Sequence, residues 1–195
     1  MKNAVVKNLI AKTRGVLFAL ALLSGFATPS VFAKDVSVKR MADAIFSVIE
    51  ADRAIYTKNI VQRLQNEEEI ISADEHWKEE SALILPAQML RLAAERVNEK
   101  KAGFNYSLLS LWAINKQNKP RTDLEIKALN ALKDNKENFY GEETLGGKKY
   151  FTAAYPDIAV SKACIDCHND HIDSPKKDFA LGDAMGGLVI RIPLD

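Results

Sequence analysis

Five consecutive residues carry the most evident chemistry of this sequence: Cys164, Ile165, Asp166, Cys167 and His168, which form a C-x-x-C-H pattern. Two thiols at this spacing can add to the two vinyl groups at one edge of a haem, and the adjacent imidazole of His168 then binds the iron as its proximal ligand. The pattern uses both cysteines of the chain. It therefore predicts one covalently bound haem c.

Two other uses of the same residues have to be weighed. A zinc ion could take Cys164, Cys167, His168 and His171, but two of these ligands would be adjacent in sequence, whereas zinc sites normally combine two separated pairs of ligands. A redox-active C-x-x-C disulfide is expected near a βαβ pattern, and no such pattern precedes Cys164. Haem attachment remains the best interpretation.

The N-terminus predicts export, which agrees with the haem interpretation because haem c is attached outside the cytoplasm. Four basic residues precede an apolar run at 16–26, and a small-residue site predicts cleavage after about Ala33. The basic residues are Lys2, Lys7, Lys12 and Arg14. The apolar run is about a dozen residues long, whereas a membrane-spanning helix needs about 20. We predict a signal peptide at 1–33, a periplasmic location and no stable membrane insertion after cleavage.

Residues 34–195 are predicted to form a single domain, because their number suits one hydrophobic core. The leader contains four of the 27 basic residues and none of the 26 acidic ones, so the exported part is slightly acidic. No basic stripe indicates nucleic-acid binding. If both cysteines bind haem, none is left for a disulfide, and the domain depends on its core and on the porphyrin.

Apolar periodicity predicts helices in the first half of the chain. Apolar residues recur three or four positions apart from 36 to 64, as in one long amphipathic helix. This helix could pack on its own domain or form a homodimer with a second copy. The acidic residues 66–80 indicate a solvated connection, and Pro86 begins a helix at 87–101. Thr122 and Glu125 form a capping box for a helix that runs to about residue 138.

Strand patterns lie mostly in the second half. Residues 104–114, 148–154 and 188–193 are predicted strands. We predict a turn at 141–147 and a polar loop at 169–182. Helices followed by strands, without βαβ alternation, predict an α+β fold.

Several segments resemble, in the same order, a family of bacterial periplasmic single-haem c domains with a PAS-like fold. Members occur as secreted proteins and as sensor modules of chemoreceptors and histidine kinases. Beside the C-x-x-C-H pattern, the segments are AIYTKNIV at 54–61, PAQM at 86–89, SL at 110–111, NKQNKP at 115–120, GDAMGG at 182–187 and IRIP at 190–193. Lys116 stands where many relatives have proline, and there is no third cysteine for the branch that uses one as an iron ligand.

The resemblance implies a PAS-like antiparallel sheet with a long N-terminal helix, additional flanking helices, and a haem packed against the sheet. Together with their strand positions, it also indicates that Trp112, Tyr150, Phe151 and Tyr155 line the haem pocket. Ordinary core packing would explain these aromatic residues equally well.

Met89 is the candidate sixth ligand of the iron, because a thioether is an ordinary haem ligand and the resemblance places its helix against the haem. Core packing is the alternative role for this methionine. The other possibilities are Tyr56, Met41, Met185 or an open, water-filled site. His171 follows His168 too closely to reach the opposite haem face. His76 lies among carboxylates, which suits a solvated histidine.

Two functions follow from these predictions. The first is a periplasmic monohaem c-type cytochrome that transfers electrons to or from a redox partner protein. The alternative is a haem-based sensor or gas-binding protein, which would act through a separate signalling partner because the sequence has no kinase or chemoreceptor module after its final strand. We expect no enzyme, since no distal acid–base pair is evident, although peroxidase-like activity at an open iron stays an alternative.

Overall fold

The computed structural model describes residues 36–194 and has the α+β fold that the sequence predicts. Its helices are α1 (Val38–Ile55), α2 (Pro86–Glu99), α3 (Asp123–Asn135) and α4 (Lys162–Asp170). Its strands are β1 (Ala73–Asp74), β2 (Leu83–Ile84), β3 (Asn105–Leu109), β4 (Phe139–Leu145), β5 (Lys148–Ile158) and β6 (Ala184–Leu194). The predicted signal peptide lies outside the described residues. No helix within 36–194 is long and apolar enough to cross a membrane.

Helix α1 continues directly into a π-helical segment, Tyr56–Glu67, so the long helix predicted at 36–64 is confirmed. The hydroxyl of Ser37 accepts a hydrogen bond from the amide of Arg40 and caps the start of α1. At the far end, the amide of Glu68 donates to the carbonyl of Arg63 at 2.9 Å, which is the wider turn of a π-helix. π-Helical turns are rare in proteins, but those that occur often lie at functional sites. This π-helical segment packs against α4.

Four strands form one antiparallel sheet in the order β3, β6, β5, β4. Alternate side chains of a strand point to opposite faces, and in β6 this alternation separates two cores. Leu188 and Ile190 pack with residues of α1 and α2, whereas Val189 packs with residues of α3. Helices therefore cover both faces of the sheet.

Three clusters of buried apolar side chains hold these layers together. The first lies between the sheet and the helices α1 and α2, where Phe46 stacks on the fully buried ring of Tyr155 with centroids 4.1 Å apart. The second joins α3 to the opposite face of the sheet. The third is smaller, contains Phe179 and Met185, and is contacted by Cys164. The candidate haem-binding helix thus packs on a cluster separate from the two larger cores.

Asp43 connects α1 to the sheet through two tyrosines. The hydroxyls of Tyr140 and Tyr155 each donate to Oδ1 of Asp43 at 2.8 Å, and the ammonium of Lys39 lies 2.8 Å from Oδ2. Burial alone would raise the pKa of Asp43, but these hydrogen bonds outweigh it and hold the pKa below its ordinary value. The carboxylate is therefore the charged acceptor that fixes α1 on the sheet.

Arg191 makes the corresponding connection on the other face. Its guanidinium donates to Glu125 of α3 at 2.6 Å and to Glu143 of β4 at 2.7 Å, and all three side chains are nearly buried. Glu125 also forms the predicted capping box with Thr122. One carboxylate thus caps α3 and binds it to the sheet, and the confirmed capping box has a second role that its sequence pattern does not reveal.

Two of the predicted boundaries were wrong for local reasons. Strand β3 ends at Leu109, before the predicted end at 114, because Ser110 leaves the ladder. Its hydroxyl donates to the carbonyl of Met185 at 2.6 Å, and its amide donates to the carbonyl of Asn118 at 2.9 Å. Residues 141–147, predicted as a turn, mostly belong to the edge strand β4, whose polar residues conceal its pairing with β5. Only Gly146 and Gly147, both with positive φ, form the turn.

The acidic segment at 66–80, predicted as a connection, also contains a strand. Strand β1 pairs in parallel with β2 over two residues. A pairing this short leaves no periodic pattern in the sequence. After β1, Oε1 of Glu75 lies 4.0 Å from Nε2 of His171, the residue that follows α4.

Gly186 generates a prediction about close backbone approach. A Cβ atom at this position would lie 2.4 Å from the carbonyl oxygen of Leu109 in β3, a backbone atom that no side-chain rotation can move. We expect Gly186→Ala to lower the free energy of unfolding by about 2 kcal/mol or more, measured by urea denaturation. Ala102→Gly, at an exposed position before β3, is the control for a small-residue exchange. Equal stability of Gly186→Ala and wild type would contradict the close contact.

A second prediction concerns Asp43 and pH. Asp43→Ala should lower the free energy of unfolding by about 2 kcal/mol at neutral pH, because the hydroxyl of Tyr155 is left buried without its acceptor. A carboxylate whose pKa is lowered by folding stabilises the protein above its unfolded pKa, and this contribution is lost as the pH falls through the folded pKa. The difference from wild type should therefore shrink below about pH 4.

Urea titrations followed by circular dichroism at several pH values measure this difference. Asp52→Ala removes an exposed carboxylate from the same helix and is the matched control. A loss of stability that stays constant down to about pH 2 would show that the charge of Asp43 is not involved.

Candidate functional site

Helix α4 presents Cys164, Cys167 and His168 on one face, because positions i, i+3 and i+4 of an α-helix project to the same side. Both thiols are free; Cys167 is exposed, whereas Cys164 and His168 are half-buried. The sequence pattern therefore places two free thiols and an imidazole on the same face of one helix.

The first turn of α4 is held by a side chain from the π-helical segment. Oε1 of Gln62 accepts a hydrogen bond from the amide of Ala163 at 3.0 Å, which satisfies one of the free amides at a helix start. The hydroxyl of Ser161 lies 3.4 Å from Sγ of Cys164. The orientation of the cysteine-bearing helix is thus coupled to the π-helical segment.

The last turn of α4 is joined to the polar loop that follows it. Asn169 donates from Nδ2 to the carbonyl of Phe179 and accepts at Oδ1 from the amide of Phe179, both at 2.9 Å. At the base of the loop, the amide of Gly182 donates to the carbonyl of Ala159 at 3.0 Å. These bonds fold the loop back along α4 and fix the position of Phe179.

Phe179 forms an aromatic wall beside the imidazole. Its ring meets that of His168 edge to face, with centroids 5.8 Å apart, and meets that of Trp112 in the same manner at 5.6 Å. Cys164, Ile165 and Trp112 pack against the buried cluster to which Phe179 belongs. One side of the C-x-x-C-H face is therefore apolar and aromatic.

A buried ion pair, Arg53–Asp157, lies at the junction of the N-terminal helix and β5. The guanidinium of Arg53 contacts both carboxylate oxygens of Asp157, at 2.9 and 3.1 Å, and the two side chains are only 13% and 12% exposed. A β-bulge at Asp157 and Ile158 bends the end of β5 here. Burial raises the pKa of Asp157, and the charge of Arg53 opposes this effect.

The surroundings keep the imidazole of His168 neutral. Burial, followed by the charges of Arg53 and His171, lowers the pKa of His168 to about 4. A neutral imidazole is the form that binds iron. Although Cys167 is exposed by area, the dense packing around its sulfur, and next the carboxylate of Glu75, raise the pKa of its thiol.

Three buried side-chain atoms within residues 36–194 have no hydrogen-bond partner: Nε of Arg53, Oε1 of Gln88 and Nδ1 of His168. The amide nitrogen of Gln88 donates to the carbonyl of Glu75 at 2.8 Å, and Glu75 is the residue whose carboxylate acts on Cys167. Buried polar atoms normally have partners. These three belong to His168 itself and to residues around it, which indicates that this region is suited to a bound polar group.

The predicted pocket residues fall into two groups. Trp112 packs in the cluster that Cys164 contacts, together with the buried Met185. Phe151 and Met89 instead pack on the first core cluster, and Tyr155 lies at its centre. Tyr150 and Phe151 lie about 25 Å along β5 from the strand end that leads into α4. The structure therefore brings Trp112 to the cysteines but not Tyr150, Phe151, Tyr155 or Met89.

The remaining candidates for the sixth ligand, and the other two histidines, are either hydrogen-bonded to other groups or exposed to solvent. The hydroxyl of Tyr56 donates to the carbonyl of Ile84 at 2.7 Å, and Met41 is exposed on α1. His76 is exposed, as expected for a solvated histidine. Nδ1 of His171 accepts from the amide of Asp173 at 3.1 Å, and its Nε2 lies 4.0 Å from Glu75.

Sequence reasoning missed most of the residues that surround α4. Phe179 had one available signal, since it is the only Phe, Tyr or Trp in the polar loop at 169–182. Arg53 and Asp157 are 104 positions apart, and no local pattern connects them. Gln62 and Gln88 lie on helices whose polar positions do not distinguish a buried amide from a solvated one.

Two further features border the site. An open cavity of about 440 Å³ lies beside the start of α4, lined by cationic side chains and by polar or acidic ones. Its lining residues are Lys58, Asn59, Gln62, Arg63, Glu67, Val160, Ser161 and Lys162. Between residues 36 and 194, no three or more His, Cys, Asp or Glu side chains are arranged to hold a metal ion, so the four candidate zinc ligands do not form a tetrahedral set.

The connection between Asn169 and Phe179 generates a prediction. Asn169→Ala should lower the free energy of unfolding by about 2 kcal/mol, because both backbone groups of Phe179 lose their partner. Thermal unfolding followed by circular dichroism measures this loss. Asn98→Ala, at an exposed position of α2, is the control, and equal melting temperatures for the two variants would show that the loop is not held by Asn169.

Comparisons with known proteins identify the family of the chain. The chain is similar to the crystal structure of the cyanobacterial haem protein Tll0287, with a TM-score of 0.53 and 15% sequence identity over 82% of this chain and 98% of that one. At this identity the similarity shows the fold alone. No curated protein matches the chain. The Tll0287-like family model matches residues 34–193, and the chain therefore belongs to the Tll0287-like family.

Proposed function

We propose that this chain binds one haem c through thioether bonds from Cys164 and Cys167, with His168 as the proximal ligand of the iron. The observation that carries the proposal is the single face of α4 on which two free thiols and a neutral imidazole lie together. Membership of the Tll0287-like family and the similarity to a solved haem protein support it.

The residues present fit this group. The sulfur atoms of Cys164 and Cys167 belong to the same helical face, one helical turn apart, as attachment to one porphyrin edge requires. Phe179 and Trp112 offer an apolar wall. Nδ1 of His168 is buried without a partner, and it is part of the ring that would hold the iron.

We further propose that the protein is a periplasmic electron carrier that exchanges electrons with a redox partner protein. A bound haem supplies a reversible one-electron couple. The chain contributes the ligand His168, whose neutral state is maintained by burial, and an aromatic wall that keeps water from one side of the ligand. The slightly acidic exported part is compatible with a basic partner surface.

A second candidate function, a haem-based sensor acting through a separate signalling partner, is favoured by one observation. Helix α4 is capped by Gln62 of the π-helical segment, which continues directly into α1. A change at the haem could therefore alter the long helix. The exposed apolar residues of α1, Met41, Val48 and Ile55, recur every seven positions, and this is the face that the predicted homodimer would use.

Covalent attachment is directly testable. Expressed with haem-attachment machinery, the protein should stain for haem after denaturing electrophoresis, and its mass should equal residues 34–195 plus one haem. Cys164→Ala combined with Cys167→Ala should abolish the stain, because no thioether can form. Ser161→Ala, which keeps both cysteines, is the control. An unmodified mass of the wild-type protein, or stoichiometric zinc, would contradict the proposal.

The sixth ligand is still predicted to be Met89, with Met185 as the candidate that packs nearer to Cys164. We expect Met89→Leu, which keeps the volume but removes the thioether, to abolish the weak red charge-transfer band of the ferric protein and to open the iron to CO. Met185→Leu is the matched variant. Loss of the band in Met185→Leu alone would assign the ligand to Met185. Rapid CO binding by the wild-type protein would favour the sensor function.

A further inference from the structure

We propose that α1 forms an antiparallel homodimer, in which the solvent-exposed face of this helix packs on the same face of a second copy. Within 36–194, α1 carries more of the exposed large apolar side chains than any other helix or strand. Haem binding is not required for this contact, because the exposed face points away from the core that α1 shares with the sheet.

Helix α1 has two apolar faces. One contains the fully buried Ala42 together with Ile45, Phe46 and Ile49, which pack in the first core cluster. The second face is exposed, and its five residues follow the a and d positions of a heptad repeat. These residues are Met41, Ala44, Val48, Ala51 and Ile55. At about 100° per residue, the centres of the two faces lie about 130° apart around the helix axis, so the domain core covers only the first face.

The exposed face lacks the polar character expected on the solvent side of a helix. Val48 and Ile55 are 63% and 59% exposed, and Met41 is 42% exposed. The solvent side of an amphipathic helix normally carries polar and charged residues. No charged residue interrupts this face, and Arg40 and Asp52 flank it with one cation and one anion. Two copies can therefore meet along it without bringing like charges together.

The sizes of the side chains indicate that a second copy is the partner. Large and small residues alternate along the face. In an antiparallel pair centred on position 46, Val48 of one copy lies against the partner's Ala44, and Met41 lies against the partner's Ala51. Each large side chain then fills the space beside a small one, as interdigitating layers of a core do. A parallel pair in register would place valine on valine and alanine on alanine, and would leave gaps at the alanines.

The length of α1 agrees with this register. The helix Val38–Ile55 has its midpoint between positions 46 and 47, so an antiparallel pair centred there overlaps along the whole helix. Its 18 residues form a contact about 27 Å long and about 10 Å wide. A contact of this size lies at the small end of the range for specific interfaces. We therefore expect a reversible dimer that dissociates on dilution.

The antiparallel arrangement separates the two candidate haem sites. The residue that caps α4, Gln62, lies in the π-helical segment that begins where α1 ends. In an antiparallel pair these segments extend from opposite ends of the dimer. The two Gln62 side chains are then separated by at least the length of α1, about 27 Å, so each copy keeps a site of its own.

Sedimentation equilibrium of the haem-loaded protein at several concentrations tests the dimer. The wild-type protein should show a reversible equilibrium between monomer and dimer. Val48→Lys should raise the dissociation constant about tenfold or more, because the contact would remove two like charges from water. Ile126→Lys places the same charge on a 44% exposed residue of α3. This matched control should change the dissociation constant by no more than about twofold.

A pair of substitutions tests the orientation. Met41→Lys alone should weaken the dimer. When Met41→Lys is combined with Ala51→Glu, each lysine of an antiparallel pair faces a glutamate of the partner, and the double variant should regain most of the wild-type affinity. In a parallel pair the same changes place like charges opposite each other. A double variant that binds more weakly than Met41→Lys would overturn the antiparallel arrangement.

The remaining outcomes separate this dimer from the proposed haem function. A wild-type protein that stays monomeric at every concentration would overturn the inference, and binding of such a monomer to phospholipid vesicles would assign the face to a lipid surface. Equal dissociation constants for Val48→Lys and wild type would show that the dimer uses another face. Cys164→Ala combined with Cys167→Ala should leave the dimer intact. A dimer without covalent haem in the wild-type protein would defeat only the haem proposal.

Discussion

The candidate site depends on one constraint, which is that contacts from the long N-terminal helix hold α4 in its position. Gln62 caps the first turn of α4, and Arg53 binds Asp157 at the end of the strand that leads into it. Both contacts are polar and largely removed from solvent, so losing either partner would leave an unsatisfied buried group. Such polar contacts fix the orientation of α4, which apolar packing alone does not do because it is non-directional. The C-x-x-C-H face is therefore positioned from outside its own segment.

The rest of the fold fixes the two elements that make these contacts. Asp43 joins α1 to the sheet through two tyrosine hydroxyls, and Phe46 stacks on the ring of Tyr155. On the opposite face, Arg191 ties α3 to β4 and β6. The sheet is thus a rigid layer between two helical layers, and the short helix α4 lies at the end of its longest strands. A ligand bound there would be held by a helix, the loop after it and the long helix.

The site combines an apolar wall with a few polar groups that lack internal partners, as binding sites for small molecules usually do. Phe179 and Trp112 form the wall, while Arg53, Gln88 and His168 provide the unpartnered atoms. In a haem protein, hydrogen bonds and charges around the axial ligand tune the reduction potential. The same coupling of α4 to a continuous helix would serve electron transfer by rigidity or sensing by movement.

The sequence by itself indicated the chemistry of the C-x-x-C-H segment and determined the main elements. The C-x-x-C-H spacing, the capping box at Thr122 and the apolar periodicity of the long helix are local patterns, because each depends on residues within a few turns of one another. Sequence patterns did not predict strand β4 or the parallel β1–β2 pair, because the stability of these strands comes from partner strands that lie elsewhere in the chain. Only the tertiary structure decided which aromatic and polar side chains surround α4. Phe179 and Arg53 lie on the α4 side of the fold, whereas Phe151 and Tyr150 do not. Sequence patterns could not predict this, because proximity across the fold leaves no periodic signal along the chain.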